Sequence, residues 1–160
     1  MSALLQAVSG LPNASEPLPG LITGGQPQPH HVAALQRAGC QVVIDCREAM
    51  EPRPVREPED IVAAGMEYVA IPVGHTVVAD ETFARIREAV KAVVGKRPAL
   101  FHCASGNRVG ATLLPYLILD RGFSEEDAVT AAMQIGMRSA GLMESALEYT
   151  SRQQPGGGTG

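Results

Sequence analysis

Residues 98–110 read Pro-Ala-Leu-Phe-His-Cys-Ala-Ser-Gly-Asn-Arg-Val-Gly. An apolar run ends at His102, and Cys103 follows at once. A short polar loop then holds Gly106, and Arg108 opens a long apolar stretch. Each residue type has chemistry to do at that spacing. The backbone N–H groups of Ala104, Ser105, Gly106 and Asn107, with the start of a helix, form an anion cradle. Gly106 lets the backbone turn without a Cβ clash. Arg108 holds two anion oxygens through its planar fork. The same positive field lowers the pKa of Cys103, so that a thiolate is present near neutral pH. A thiolate at the floor of an oxyanion cradle is a nucleophile toward phosphorus or sulfur. An isolated cysteine would be read as core packing. Here strand end, His, Cys, Gly-containing loop and Arg at a helix start coincide, and together they point to catalysis.

The elements that must position this loop are legible around it. Short helical periodicity covers Ala3 to Val8, and Leu21-Ile22-Thr23 is a short strand. Pro29 to Ala38 reads as a helix stopped by Gly39, and Gln41 to Asp45 as a buried, β-branched strand. Arg47 to Pro58 is a charged loop with Pro52, Pro54 and Pro58, of a length that suits binding. A helix from Glu59 to Ala64 precedes a second buried strand, Tyr68 to Val73. Asp80 is expected to cap a helix whose apolar face is Phe83, Ile86, Val90 and Val93. Ala99 to His102 is the last strand. Helices follow at about Arg108 to Asp120, Ser124 to Met133 and Leu142 to Tyr149, the second starting with a Ser124–Asp127 cap. This alternation predicts an α/β fold: a central, mostly parallel sheet of about four to five strands with helices on both faces. Ligands bind beyond the carboxyl ends of such strands. Those ends are Asp45 to Arg56, Gly74 to Asp80 and Cys103 to Arg108.

Composition bounds the function. The chain has 160 residues and a formal net charge of −4, with 45% apolar and 19% charged residues. This fits one domain over residues 1–152, with a flexible Gly-rich tail at 153–160. No stretch approaches the roughly 20 apolar residues of a membrane span. The start of the chain has no secretory pattern, so the sequon Asn13-Ala14-Ser15 reads as coincidence. The acidic balance argues against nucleic acid as a partner. Three cysteines, Cys40, Cys46 and Cys103, are too few for a disulfide scaffold and fit a reducing, cytoplasmic compartment. His30 and His31 diverge on a helix, so no metal and no other cofactor is assigned. Arg85, Arg87, Lys91, Lys96 and Arg97 read as a solvated basic face. Oligomeric state is open.

His102-Cys103 with Arg108 resembles the signature loop of cysteine-dependent protein phosphatases, in particular the dual-specificity branch. Tyr68 to Val73, then loop, helix and the His-Cys loop, is similar to that fold's order, as is Gly122 to Ala128 after the signature helix. A finer likeness is to small bacterial phosphatase-like domains also found joined to metallo-β-lactamase-type hydrolases. It rests on Thr23-Gly-Gly-Gln-Pro27, Val43-Ile-Asp-Cys-Arg47 and His102 to Arg108. The likeness spans about Leu21 to Tyr149. It implies hydrolysis of a phosphorylated small molecule or protein through a cysteinyl-phosphate on Cys103, with Arg108 and the loop amides stabilising the transition state.

The chain departs from the phosphatase pattern twice. Four residues, not the usual five, separate Cys103 from Arg108, and Val109 stands where a hydroxyl residue is usual. A loop this short is the size found in rhodanese-type sulfurtransferases, and Val43 to Glu48 resembles a rhodanese strand. A persulfide carried on Cys103 is therefore one alternative, and a weakly active phosphate-binding module is another. The order of elements favours the phosphatase.

Ester cleavage needs an acid for the leaving oxygen. The resemblance implies an Asp just after the strand ending at Val73, but the stretch reads Gly74-His75-Thr76-Val77-Val78-Ala79-Asp80. His75 is the nearest titratable group. Asp80 is the alternative, with helix capping as its competing role, and Asp45, Glu48 and Glu51 end another strand. His102 is expected to fix the loop, and Ser105 to donate to Cys103. The resemblance implies that Cys46 guards Cys103 through a reversible disulfide; a packed thiol is the competing reading. Cys40 is expected in the core.

Overall fold

The computed structural model describes residues 2–154, so the expected flexible tail lies outside the described residues from position 155 on. Five strands, β1 (Ser15–Leu18), β2 (Leu21–Gly24), β3 (Val42–Asp45), β4 (Glu67–Ala70) and β5 (Ala99–His102), form one sheet in the order β1-β2-β5-β3-β4. β2, β5, β3 and β4 are parallel, and β1 is antiparallel to β2. The predicted α/β architecture is therefore present. β1 was not anticipated. It is a short edge strand carrying Pro17, whose missing N–H an edge tolerates.

The two-residue period of a strand sends alternate side chains to two cores. Leu21, Val42, Ile44, Ala99 and Phe101 face α4 (Asp80–Val93), α5 (Asn107–Leu119), α6 (Glu125–Ile135) and α7 (Ala140–Gln153). Ile22, Val43 and Leu100 face α1 (Ala3–Ala7), α2 (Pro29–Arg37) and α3 (Glu59–Ala63). Helix starts follow local chemistry: Ser2, Ser124 and Ser139 accept from the N–H groups of Leu5, Asp127 and Leu142. His31, paired with His30 in the sequence, serves α2 instead of a metal. Its Nδ1 accepts from the Gln28 N–H at 2.9 Å, and its Nε2 lies 2.9 Å from the Ser9 carbonyl. Cys40 is buried as expected, and burial raises its thiol to about 11.

Three expectations need correction. The strand expected to be buried over Tyr68 to Val73 is the edge strand β4, ends at Ala70, and leaves Glu67 and Ala70 exposed. Among the described residues no strand covers its outer side, and Pro72 breaks the pattern because it has no N–H to donate. The N–H groups of Ile71 and Val73 still donate to the Asp45 and Cys46 carbonyls at 2.9 and 3.0 Å. Asp80 does not cap α4: the cap position is Ala79, and the Asp80 carboxylate pairs with Arg152 of α7. Arg87 is not part of a solvated face. Its guanidinium forks onto Asp120 at 2.8 and 3.2 Å and donates to the Tyr149 hydroxyl at 2.9 Å, tying α4 to the end of α5 and to α7. Among the described residues no helix is long and apolar enough to cross a membrane.

α5 is apolar nearly all round and runs through the middle of this layer, against α4, α6 and α7. Its crossing with α6 is set by Gly110, where a Cβ would lie 2.5 Å from the Ala132 carbonyl oxygen. Backbone cannot yield as a flexible side chain can, so the Gly110→Ala variant should lose about 1–3 kcal/mol of stability. Denaturant unfolding checks this; an unchanged midpoint would show that the helices separate freely.

Candidate active site

Cys103 follows β5 directly and is fully buried. Its N–H donates to the Gly24 carbonyl of β2 at 3.2 Å, while the Cys46 N–H beyond β3 donates to the His102 carbonyl at 3.0 Å. The loop is then turned by anchors on its carbonyls. Ala104 O accepts from the Gln26 N–H at 3.1 Å, and Ser105 O from Asn13 Nδ2 at 2.7 Å. With the carbonyls drawn outward, the N–H groups point inward. Gly106, at φ +100° and capping α5, directs its N–H onto Cys103 Sγ at 3.0 Å, and a Cβ there would meet the Ile135 carbonyl oxygen at 2.7 Å.

These contacts set the thiol's acidity. The neighbouring Cys46 thiol lowers its pKa most, burial opposes the charge, and the amides of Val109, Ser105 and Gly106 stabilise it. The outcome holds Cys103 at about 5, well below its ordinary 9.0. Cys46 moves the other way, driven up by its own burial and by the neighbouring Cys103. One thiol of the pair is thus ionised near neutral pH and its neighbour stays protonated.

Arg108 is buried at the start of α5, and its guanidinium is held by one carboxylate and one carbonyl. Nη1 and Nη2 donate to Glu51 Oε2 and Oε1, both at 2.7 Å, and Nη1 also donates to Val73 O at 3.1 Å. A guanidinium has five N–H groups. Nε–H and the second Nη2–H, parallel along one edge, are not used by these bonds and form a fork for two oxygens of an anion. Glu51 reaches this position because its loop folds charge-inward. Arg47 Nη1 donates to Pro52 O at 2.6 Å, Arg53 donates to Asp45 and to Glu48 O at 2.7 and 3.2 Å, and Glu51 Oε2 accepts from the Glu48 N–H at 2.7 Å. Arg108 holds the Glu51 carboxyl at about 2. A group that acidic carries no proton to give a leaving oxygen.

Beneath the loop His102 Nε2 lies 3.1 Å from Glu57 Oε2, and Nδ1 lies 3.2 Å from the Cys103 carbonyl. Burial opposes charge on His102, but Glu57 and Asp45 outweigh it and raise its pKa. Burial likewise works against the Asp45 charge, and His102, the Arg47 N–H and the Tyr68 hydroxyl overcome it, so Asp45 stays an anion. Asp45, Glu57 and His102 come close enough to share a cation, as do Glu48, Glu51 and His75. In both groups guanidinium charge already stands there, Arg47 and Arg53 in the first and Arg108 in the second. That donor set fits ion pairs better than a metal.

The remaining expected residues are placed as follows. His75 is exposed at the mouth, its Nε2 4.0 Å from Glu48 Oε1. Asp80 is held by Arg152 and makes no bond to the loop. Ser105 binds through its backbone, and no bond joins its hydroxyl to Sγ. The Asn107 side chain faces away from the cradle, accepting from the Arg138 and Ser139 N–H groups at 2.7 and 3.2 Å, so only its backbone belongs to the loop. Sequence reasoning missed Asn13, set aside as a sequon, and Glu57. It also missed that Glu51 binds Arg108. Asn13 lies 92 positions before its contact Ser105, and Glu57 lies 45 positions before His102, so no local spacing announces either.

The acidity of Cys103 is directly measurable. Alkylation by iodoacetamide, followed residue by residue by mass spectrometry, should rise at Cys103 with a midpoint near pH 5. Cys40 and Cys46 should stay unmodified through neutrality, and a Cys103 midpoint near 9.0 would remove the thiolate from the site.

No family model and no curated protein sequence matches the chain. Solved structures do. A DUF442 protein from Shewanella putrefaciens CN-32 superimposes with a TM-score of 0.77 at 21% identity, over 93% of this chain and 97% of that one. Tk-PTP in its active form gives 0.74 at 20% identity over 88% and 98%. Kinase associated phosphatase gives 0.73 at 14% identity over 82% and 86%. At such identities the shared property is architecture. The chain has the dual-specificity and tyrosine phosphatase-like fold, with the His102–Arg108 loop at the carboxyl end of its central strand.

Proposed function

We propose that the protein is a cysteine-dependent phosphatase that hydrolyses phosphomonoesters of a small molecule or a protein. The observation that carries this reading is a buried thiolate under converging amides, beside an arginine held with one N–H edge unused. Phosphate oxygens take the Arg108 edge and the loop amides from Ala104 to Asn107. Cys103 Sγ attacks phosphorus, the P–O bond to the leaving group breaks, and a cysteinyl-phosphate forms. The same donors stabilise the charge on the equatorial oxygens in the transition state. His75 supplies the proton to the leaving oxygen. Water then attacks phosphorus, giving its proton to His75, and the P–S bond breaks to return the thiolate. Within the same reading the finer likeness is to the small bacterial phosphatase-like domains, and the adjacent Cys46 offers a disulfide partner under oxidation.

Turnover of p-nitrophenyl phosphate and of thiosulfate, each in wild type and Cys103→Ser, tests the reading. Phosphate release should be abolished by Cys103→Ser and reduced about 10²–10³-fold in kcat/KM by Arg108→Lys, which removes the fork. Thiocyanate formation would instead establish sulfur transfer, and tight phosphate binding without either turnover a binding module. The role of His75 shows in leaving-group dependence. His75→Asn should cost about 10²-fold with an alkyl phosphate and far less with p-nitrophenyl phosphate, whose phenolate leaves without help. Equal losses on both substrates would take the proton transfer away from His75.

A further inference from the structure

Returning the thiolate is the step that most needs a donor on sulfur, because electron density flows back to Sγ as the P–S bond breaks in a site closed to bulk water. The hydroxyls near the loop are placed elsewhere. Val109 follows Arg108 and carries none, Thr112 Oγ1 donates to the Arg108 carbonyl at 2.8 Å, and no bond joins Ser105 Oγ to Sγ. The side chain with a proton to give that the sheet sets beside Cys103 is the thiol of Cys46.

Its position follows from the sheet. Asp45 of β3 and His102 of β5 are register partners in parallel strands, and the Cys46 N–H to His102 carbonyl bond carries the pairing one residue further. Cys46 and Cys103 are therefore side by side just past neighbouring strands, which run about 4.8 Å apart. Both turn to the same face as Ile44 and Phe101, and both are fully buried and unbridged. The register leaves no other outcome: a one-residue slip would put one thiol on each side of the sheet.

We propose that Cys46 is a resident hydrogen-bond donor to the nucleophile, its S–H directed at Cys103 Sγ both when that sulfur attacks and when it leaves phosphorus. Resting on the phosphatase reading, this assigns Cys46 a role in each turnover beyond packing or protection. Nothing is oxidised. Cys46 keeps its proton throughout; the electron pair of the breaking P–S bond goes to Cys103 Sγ, and the proton of the attacking water goes to His75. A thiol is a weak donor to neutral acceptors, but an anionic sulfur strengthens the bond.

Three substitutions separate donation from packing. Cys46→Ser keeps a donor, Cys46→Ala removes it at similar size, and Cys46→Val removes it while filling the space. The first readout is the pH midpoint of Cys103 alkylation, which needs no substrate. A hydrogen bond to a charged group corresponds to about one to two pH units. Ala and Val should therefore raise the midpoint by about that much, while Ser stays near wild type. If Ser, Ala and Val share one midpoint, Cys46 is packing and the proposal fails. Val keeps the comparison available if Ala does not fold. The second readout is pre-steady-state release of p-nitrophenol. In Ala and Val the burst should grow relative to steady turnover as cysteinyl-phosphate accumulates, with steady turnover about tenfold below that of Ser. Equal bursts in all three would confine Cys46 to the free enzyme and overturn the leaving role. Absence of turnover in wild type would defeat the phosphatase reading alone, because the alkylation midpoints stand apart from it.

Discussion

A negative charge on a buried sulfur is tolerated only where hydrogen-bond donors replace the water it has lost, and much of this molecule is arranged around that requirement. The donors are mostly backbone, and backbone can aim at one point only if its carbonyls are pulled away from it. Asn13 from the N-terminal segment and the Gln26 N–H beyond β2 do the pulling, and Gly106 makes the turn that no side chain would fit. α5 adds its own amide end to the same point. Removing any of these would leave the charge less compensated, and the thiol would drift back toward its ordinary acidity.

The second demand is to keep a buried guanidinium in place without consuming it. Glu51 and the Val73 carbonyl together occupy three N–H groups and leave an edge that suits an oxyanion. The loop that brings Glu51 there carries Arg47 and Arg53 inward, onto Asp45, Glu57 and backbone carbonyls. Alternating charges of this kind cost desolvation and return Coulombic energy, so their main effect is geometric: each side chain has one place that satisfies its neighbours. Arg47 Nε and Nη2 find only longer ion-pair contacts with Asp45 and Glu57, at 3.6 and 3.8 Å, so this loop is the less tightly bonded part of the site.

Much of this was legible from the chain. Strands β2, β3 and β5 and the helices α2 through α6 lie where apolar periodicity put them, because each buries a face whose pattern is written locally. The His102–Arg108 loop was legible because its residues are consecutive. β1 and the true position of β4 were not. A strand of four residues takes its identity from its neighbour, and whether it is central or an edge depends on sheet order. Asn13 escaped notice for a related reason: its partner, Ser105, is 92 positions away.

The sequence by itself determined the chemistry on offer: a cysteine and an arginine bracketing a glycine-containing turn, placed between a strand and a helix. Those are contiguous residues, and their joint effect on an anion needs no long-range information. Only the tertiary structure decided how that chemistry is tuned. It made Glu51 the holder of Arg108, excluding it as an acid, and turned Asp80 toward Arg152. It also set Cys46 beside Cys103. These outcomes hang on which strands become neighbours and in what register, and that choice is settled by how the whole sheet buries its two faces.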